Sequence, residues 1–282
     1  MLPWFQTDEI LLRALREDVS YLDLSCESLF APEHRSTAYL VAKGAGVFCG
    51  GEIFLRVFTL IDLGCTGRVL KQDGEAFAPG DRLAELEGAT AALLQGERTA
   101  LNLLQHLSGI ASMTARVVRA VEGTNARVTD TRKTLPGLRA LQKYAVRCGG
   151  GQNHRFNLSD GVMLKDNHID AAGSIAAAAQ MVRRKLGHMV KVEIETRSLE
   201  EVRQALAAGA DVIMLDNMTP DEMRRAVQLV RQTPGGEKIP LEASGDITEQ
   251  TARAVAETGV DILSLGALTH SAAAANISMR IG

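Results

Sequence analysis

A repeat constrains this chain more than any other feature. From about residue 125 onward, short β-branched and aliphatic runs alternate with longer stretches of helical pattern. The runs are Arg127-Val-Thr-Asp-Thr131, Gly161-Val-Met-Leu-Lys165, Val190-Lys-Val-Glu-Ile-Glu195, Asp211-Val-Ile-Met-Leu-Asp216, Ile239-Pro-Leu-Glu-Ala-Ser244 and Asp261-Ile-Leu-Ser-Leu-Gly266. Their starts are 34, 29, 21, 28 and 22 residues apart, which is room for a strand, a loop, a helix and a return. Strands repeated at that interval are parallel, and the expected architecture is an incomplete α/β barrel of six to seven strands.

The intervening segments agree with this reading. Ser198-Leu-Glu-Glu-Val-Arg-Gln-Ala-Leu-Ala-Ala-Gly209 has a capping serine, acids in its first turn, apolar Leu199, Val202 and Leu206, and a glycine stop. Thr219-Pro-Asp-Glu222 and Thr248-Glu-Gln-Thr251 open helices in the same manner. Residues 1–124 read differently: an opening amphipathic helix, strands over Ser36–Val41 and Gly46–Leu60, and glycine-rich turns predict a smaller α+β sandwich domain. Between Glu97 and Glu122, Leu101, Leu104, Leu107, Ile110, Val117 and Val121 form one stripe of a long helix whose only break is Gly109. The expected domains are therefore 1–124 and 125–282.

Composition excludes several classes. With 282 residues, 46% hydrophobic and 23% charged, the chain buries enough apolar surface to fold without staples. Cys26, Cys49, Cys65 and Cys148 form no C-x-x-C pair, and no histidine pair has zinc-ligand spacing, which predicts reduced thiols, a cytoplasmic location and no structural metal. No window approaches the roughly 18 apolar residues of a membrane span, and the acidic start is unlike a signal peptide.

A net charge of −3 argues against a nucleic-acid partner, but it hides a basic island. Between Arg127 and Lys165, Arg127, Arg132, Lys133, Arg139, Lys143, Arg147, Arg155 and Lys165 face only Asp130 and Asp160. These basic residues come with glycines rather than stacking aromatics, so a pocket for a small polyanion fits better than a nucleic-acid surface. Gly149-Gly-Gly151 lets backbone approach an anion closely beside His154 and Arg155.

Chemistry-bearing residues fall at one place in the repeat. Thr131-Arg132-Lys133, Lys165, Glu195, Asp216, Ser244 and Gly266 each end a predicted strand, where parallel barrels gather their sites. Glu195 and Asp216 are hard oxygen donors on neighbouring strands, suited to Mg²⁺ reached through substrate or water.

These residues carry a specific resemblance. Asp130-Thr-Arg-Lys-Thr-Leu-Pro-Gly-Leu-Arg139, Lys143-Tyr-Ala-Val146, Gly149-Gly-Gly-Gln-Asn-His-Arg155, Leu158-Ser-Asp160 and Lys165-Asp-Asn-His168 resemble the core of the quinolinate phosphoribosyltransferases. Glu97-Arg-Thr-Ala-Leu-Asn102, Leu215-Asp-Asn217, Leu241-Glu-Ala-Ser-Gly245 and Gly266-Ala-Leu-Thr-His270 extend the match over roughly residues 90–271. Two departures stand out: Glu17-Asp-Val-Ser-Tyr-Leu-Asp-Leu-Ser25 lacks two family glycines, and Asn276 replaces an acid common in the family.

The resemblance implies that quinolinate and phosphoribosyl pyrophosphate give nicotinate mononucleotide, pyrophosphate and carbon dioxide, a step of NAD biosynthesis. Arg98, Arg132 and Arg155, with His154 beside them, are the candidates for the dicarboxylate. Lys133, Lys165, Thr131, Ser244, Gly245, Asp246, Gly266, Ala267 and His270 are the candidates for the phosphates. Lys133, Lys165, Glu195 and Asp216 are the candidate catalytic set, Mg²⁺ the implied cofactor, and a homodimer with Arg98 supplied in trans, or a larger assembly, the implied state. A non-catalytic phosphate-ligand sensor on the same barrel, or the molybdenum-transport-associated homologue, is the alternative. The homologue shares Thr-Arg-Lys but not Lys165-Asp-Asn-His168, so the intact stretch favours the transferase.

Overall fold

A computed structural model describes residues 3–282. Two compact units result. One comprises residues up to Ala115 together with Thr134–Gly150 and Leu268–Gly282, and the other comprises Arg116–Lys133 and Gly151–Ala267. A single cut at 124/125 groups the chain differently. The difference has local causes: Gln142 Nε2 lies 2.8 Å from His106 Nε2, which holds the helix Arg139–Cys148 in the first unit, and the last strand completes that unit's sheet.

In the first unit, β1 (Arg35–Ala42), β2 (Gly46–Val47), β3 (Thr66–Val69), β4 (Ala76–Phe77) and β5 (Arg82–Ala89) precede the long helix. β1 and β5 pair antiparallel, β3 extends β5, and β2 pairs with β4 as a separate ribbon. Ala38, Leu40 and Ala42 alternate into the core from β1.

The strand predicted over Gly46–Leu60 is not one. Only Gly46–Val47 is extended, and Gly51–Ile61 is a helix packed on β3 and β5. Ile53, Phe54, Val57 and Phe58 recur on one helical face, and all four are buried. Its start is fixed by Gly50 at φ +100° and by Asp73 Oδ1, which accepts the backbone N–H of Gly50 (2.9 Å) and Gly51 (3.1 Å).

The opening helix is present as Trp4–Asp18, with Leu11 and Leu15 buried; the first two residues of the predicted segment lie outside the described ones. The linking helix is longer than predicted, Thr90–Ala120, and Gly109 does not break it. A Cβ at Gly109 would lie 2.1 Å from Ala273 O, so glycine is there to let another backbone pass.

The second unit holds the repeat. β6 (Arg127–Thr129), β7 (Val162–Leu164), β8 (Val192–Thr196), β9 (Val212–Asp216), β10 (Leu241–Ser244) and β11 (Ile262–Ser264) form one parallel sheet in the order β6-β11-β10-β9-β8-β7. That is the cyclic order of a barrel with one open seam, between β6 and β7. On the β6 side of the seam Gln152 N–H donates to Val128 O at 2.8 Å, and a single bridge joins Thr129 to Gln152. The remaining strand, β12 (Ile277–Ile281), pairs antiparallel with β1 in the first unit.

Register divides the parallel sheet into two chemically distinct faces. Ile194, Ile213, Leu241, Ala243 and Leu263 share one face and are fully buried. Glu193, Glu195, Met214, Asp216, Glu242 and Ser244 share the other. A strand has period two, so each helix-covered aliphatic position leaves its neighbours pointing to the enclosed face. There the sequence is acidic.

Candidate active site

The candidate side chains lie at or near the carboxyl ends of β6 to β11. Asp130, immediately after β6 and fully buried, accepts from Asn153 Nδ2 at 2.6 Å and from the backbone N–H of His154 at 2.9 Å. One buried carboxylate therefore ties the glycine-rich loop to the end of the first barrel strand. Thr131 Oγ1 accepts the Lys133 N–H at 3.0 Å, turning the exposed Arg132-Lys133 pair away from the strand.

His154 is set between two buried acids. Its Nε2 lies 3.2 Å from Glu193 Oε2 and 3.4 Å from Glu242 Oε1, while its Nδ1 accepts the Arg155 N–H at 2.7 Å. Burial opposes a second ring proton, yet the two carboxylates outweigh it and push the imidazole up to about 10. The Arg155 N–H favours the other form. Burial likewise pushes the Glu193 carboxyl above its usual range, against the pull of His154.

Arg155 leads out of this cluster. Its Nη1 donates to Gly161 O at 2.8 Å, and its Nε is buried with no partner among the described residues. Burial and the nearby Arg132 charge lower its pKa.

A second cluster spans β7 to β9. Lys165 Nζ lies 2.6 Å from Glu195 Oε2. Arg197 reaches three acids: Asp166 at 2.7 Å, Glu195 at 3.6 Å and Asp216 at 3.7 Å. After β9 and β10 the backbone is unusual, because Asn217 and Asp246 are the only non-glycine residues among those described with positive φ, +54° and +45°. Ser244 O accepts the Asn217 N–H at 2.9 Å, and a Cβ on Gly245, itself at φ +96°, would lie 2.0 Å from Asn217 Oδ1. Such strained turns concentrate at ligand-binding loops.

The barrel unit thus carries Thr131, Arg132, Lys133, His154, Arg155, Lys165, Glu195, Asp216, Ser244, Gly245, Asp246, Gly266 and Ala267. Arg98 and His270 belong to the other compact unit. Arg98 is exposed on the long helix with no ion pair among the described residues, and His270 Nδ1 lies 2.6 Å from Ser271 Oγ. The sequence reading missed Glu193, Glu242 and Arg197. The two acids had a usable signal, since each lies two residues before a strand-end residue that was selected and so shares its face.

Other features carry less chemistry. A groove of about 580 Å³ on the first unit's sheet is lined by Tyr39, Arg68, Arg82 and Glu85, which satisfy one another. Among the described residues, no helix is long and apolar enough to cross a membrane.

Comparison with known proteins agrees with this geometry. Residues 23–108 match the family model "Quinolinate phosphoribosyl transferase, N-terminal domain", and residues 110–280 match the corresponding C-terminal domain. A relative from Bacillus subtilis (strain 168), "Probable nicotinate-nucleotide pyrophosphorylase [carboxylating]", is 48% identical over 276 residues, covering 98% of this chain and 93% of the relative. The crystal structure of NadC from Streptococcus pyogenes is similar at TM-score 0.94 and 44% identity, covering 100% of this chain and 98% of that one. The nicotinate-nucleotide pyrophosphorylase structure from Francisella tularensis gives TM-score 0.93 at 35% identity, with coverage of 100% and 98%. On a six-stranded parallel barrel with basic and acidic groups at its strand ends, these matches place the chain in the quinolinate phosphoribosyltransferase family, enzymes of NAD biosynthesis.

Proposed function

We propose that the strand-end site binds quinolinate and phosphoribosyl pyrophosphate and forms nicotinate mononucleotide, pyrophosphate and carbon dioxide. The observation that carries this reading is the guanidinium pair of Arg132 and Arg155. Arg155 has a buried Nε without a partner and sits within the field of Arg132, an arrangement that a planar dicarboxylate would complete. His154 stands beside them and fixes Arg155 from behind.

The sugar donor falls to other strand-end residues. Lys133 and Lys165 offer point charges to its phosphates, and Thr131, Ser244-Gly245-Asp246 and Gly266-Ala267 supply hydroxyl, carboxylate and backbone groups. As pyrophosphate leaves, C1 of the ribose becomes cationic. Glu195 and Asp216 then stabilise that centre electrostatically while holding the ribose hydroxyls, so no covalent nucleophile is needed. The ring nitrogen of the resulting nucleotide, now quaternised, accepts the electron pair left by the departing carboxylate.

The acids also fit Mg²⁺ in one manner. Lys165 and Arg197 already occupy the oxygens of Glu195 facing them, and Arg197 approaches Asp216, so the ion is reached through water or pyrophosphate oxygens. When bound, Mg²⁺ neutralises charge building on the leaving pyrophosphate. In this reading the protein works as a cytoplasmic homodimer or larger assembly in which Arg98 completes the partner's pocket. The exposure of Arg98, with no acid paired to it among the described residues, supports that assignment. Incubation of the protein with both substrates and Mg²⁺ tests the reaction: nicotinate mononucleotide and carbon dioxide form in equal amounts, whereas binding without turnover would indicate a sensor.

A further inference from the structure

Away from the barrel, the first unit contains a second cluster of reactive groups. Cys49, which precedes the helix Gly51–Ile61, and Cys148, which ends the helix Arg139–Cys148, meet beside Asp73. Their Sγ atoms and one Asp73 oxygen all lie within 4.8 Å of one another, although the cysteines are far apart in sequence. Asp73 is already committed, because Oδ1 accepts from Gly50 and Gly51 and Oδ2 accepts the Tyr144 hydroxyl at 2.6 Å. The carboxylate therefore serves the backbone. The two thiols are left facing each other.

We infer that Cys49 and Cys148 are an oxidisable dithiol that a peroxide converts to an intrachain disulfide. The two positions are unequal in the way such a pair requires. Cys148 is half-buried and open to a small oxidant, and Cys49 is fully buried and held in place, its N–H donating to Ser108 Oγ at 3.1 Å and its carbonyl accepting from the same hydroxyl at 3.2 Å. Hydrogen bonding with Cys49, aided by Arg147, holds the Cys148 thiol below its ordinary value, whereas burial holds Cys49 well above. Cys148 is the attacking thiolate and Cys49 the resolving thiol.

The chemistry balances in two steps. The Cys148 thiolate attacks hydrogen peroxide, the O–O bond breaks, and hydroxide leaves as Cys148 becomes a sulfenic acid. Cys49 sulfur then attacks Cys148 sulfur and expels hydroxide, which takes the Cys49 proton and departs as water. Two thiols are oxidised and one peroxide is reduced to two waters. Cys26 and Cys65 are both buried, and none of the four cysteines is bonded to another.

The full-length reduced protein is treated with a small excess of hydrogen peroxide at neutral pH, alkylated, digested and analysed by mass spectrometry. The expected product is a Cys49–Cys148 linked peptide that disappears on reduction, with Cys26 and Cys65 alkylated. In Cys49→Ser, Cys148 should persist as a sulfenic acid captured by dimedone, and in Cys148→Ser Cys49 should stay a free thiol. Oxidation of wild-type Cys148 to a dimedone adduct or sulfinic acid while Cys49 remains alkylatable would overturn the inference, and so would oxidation of Cys26 or Cys65 ahead of Cys148.

Discussion

Lys165 Nζ lies 2.6 Å from Glu195 Oε2, and the pair bridges two adjacent strands at their carboxyl ends. The partners differ in environment: the Glu195 side chain is 7% exposed and that of Lys165 46%. Glu195 thus faces, inside the site, a cation that can itself swing toward solvent or substrate. If the acids act on the developing ribose cation, Glu195→Gln and Asp216→Asn should lower kcat by about 10²-fold or more while quinolinate affinity changes little. Steady-state kinetics with isothermal binding would check this. Near-normal turnover in either variant would remove that residue from the catalytic set.

The Glu193–His154–Glu242 cluster should act through Arg155. Glu242→Gln keeps a polar group of the same shape beside His154 Nε2, whereas Glu242→Leu removes it and leaves Glu193 as the acid neighbour of the ring. The leucine variant should raise KM for quinolinate about tenfold or more, with KM for phosphoribosyl pyrophosphate nearly unchanged and the glutamine variant close to wild type. A general packing defect would instead raise both constants together and lower Tm in parallel.

Gly245 offers a backbone test of the phosphate side. Alanine there would need a positive φ and would press its methyl against Asn217 Oδ1. Gly245→Ala should destabilise the protein by about 1–3 kcal/mol, seen in denaturant unfolding, and should weaken phosphoribosyl pyrophosphate more than quinolinate. An unchanged midpoint with unchanged KM values would show that the turn can relax.

Mixing experiments address Arg98. An Arg98→Ala chain and a Lys165→Ala chain are each expected to be inactive, through a missing carboxylate clamp and a missing barrel group. If Arg98 completes the partner's pocket, subunit exchange gives hybrids with one pocket carrying both defects and one carrying neither, so activity returns. Loss of a guanidinium from a carboxylate costs roughly 2–5 kcal/mol, which leaves a low background for that recovery. Confirmed exchange without recovery would return Arg98 to its own chain.

The repeat of the second unit was legible because strand and helix periods alternate cleanly there; all six runs contain strands, and their ends carry the polar residues the sequence pointed to. The first unit was less so. Gly46–Leu60 is apolar almost throughout, and a short apolar run fits a strand or a buried helix equally until its neighbours are known. Gly109 was read as a break because the backbone of Ala273 beside it has no local signature. Glu193 and Glu242 were passed over for the same kind of reason: acids in the middle of a strand are conspicuous only when the enclosed face is traced inward from Glu195 and Ser244. The Cys49–Cys148 proximity, made by two distant turns, left no mark in the spacing of the cysteines.

The acceptor preference tests the central claim most directly. With phosphoribosyl pyrophosphate and Mg²⁺ fixed, the protein is offered quinolinate or nicotinate, and kcat/KM is measured for each by chromatographic detection of nicotinate mononucleotide. A site built for two carboxylates leaves a guanidinium unpaired when one is missing, a penalty on the order of 3 kcal/mol or more, so quinolinate should be favoured by at least about 10²-fold, with carbon dioxide released in step with product. Comparable turnover of nicotinate, or none of quinolinate, would contradict the account.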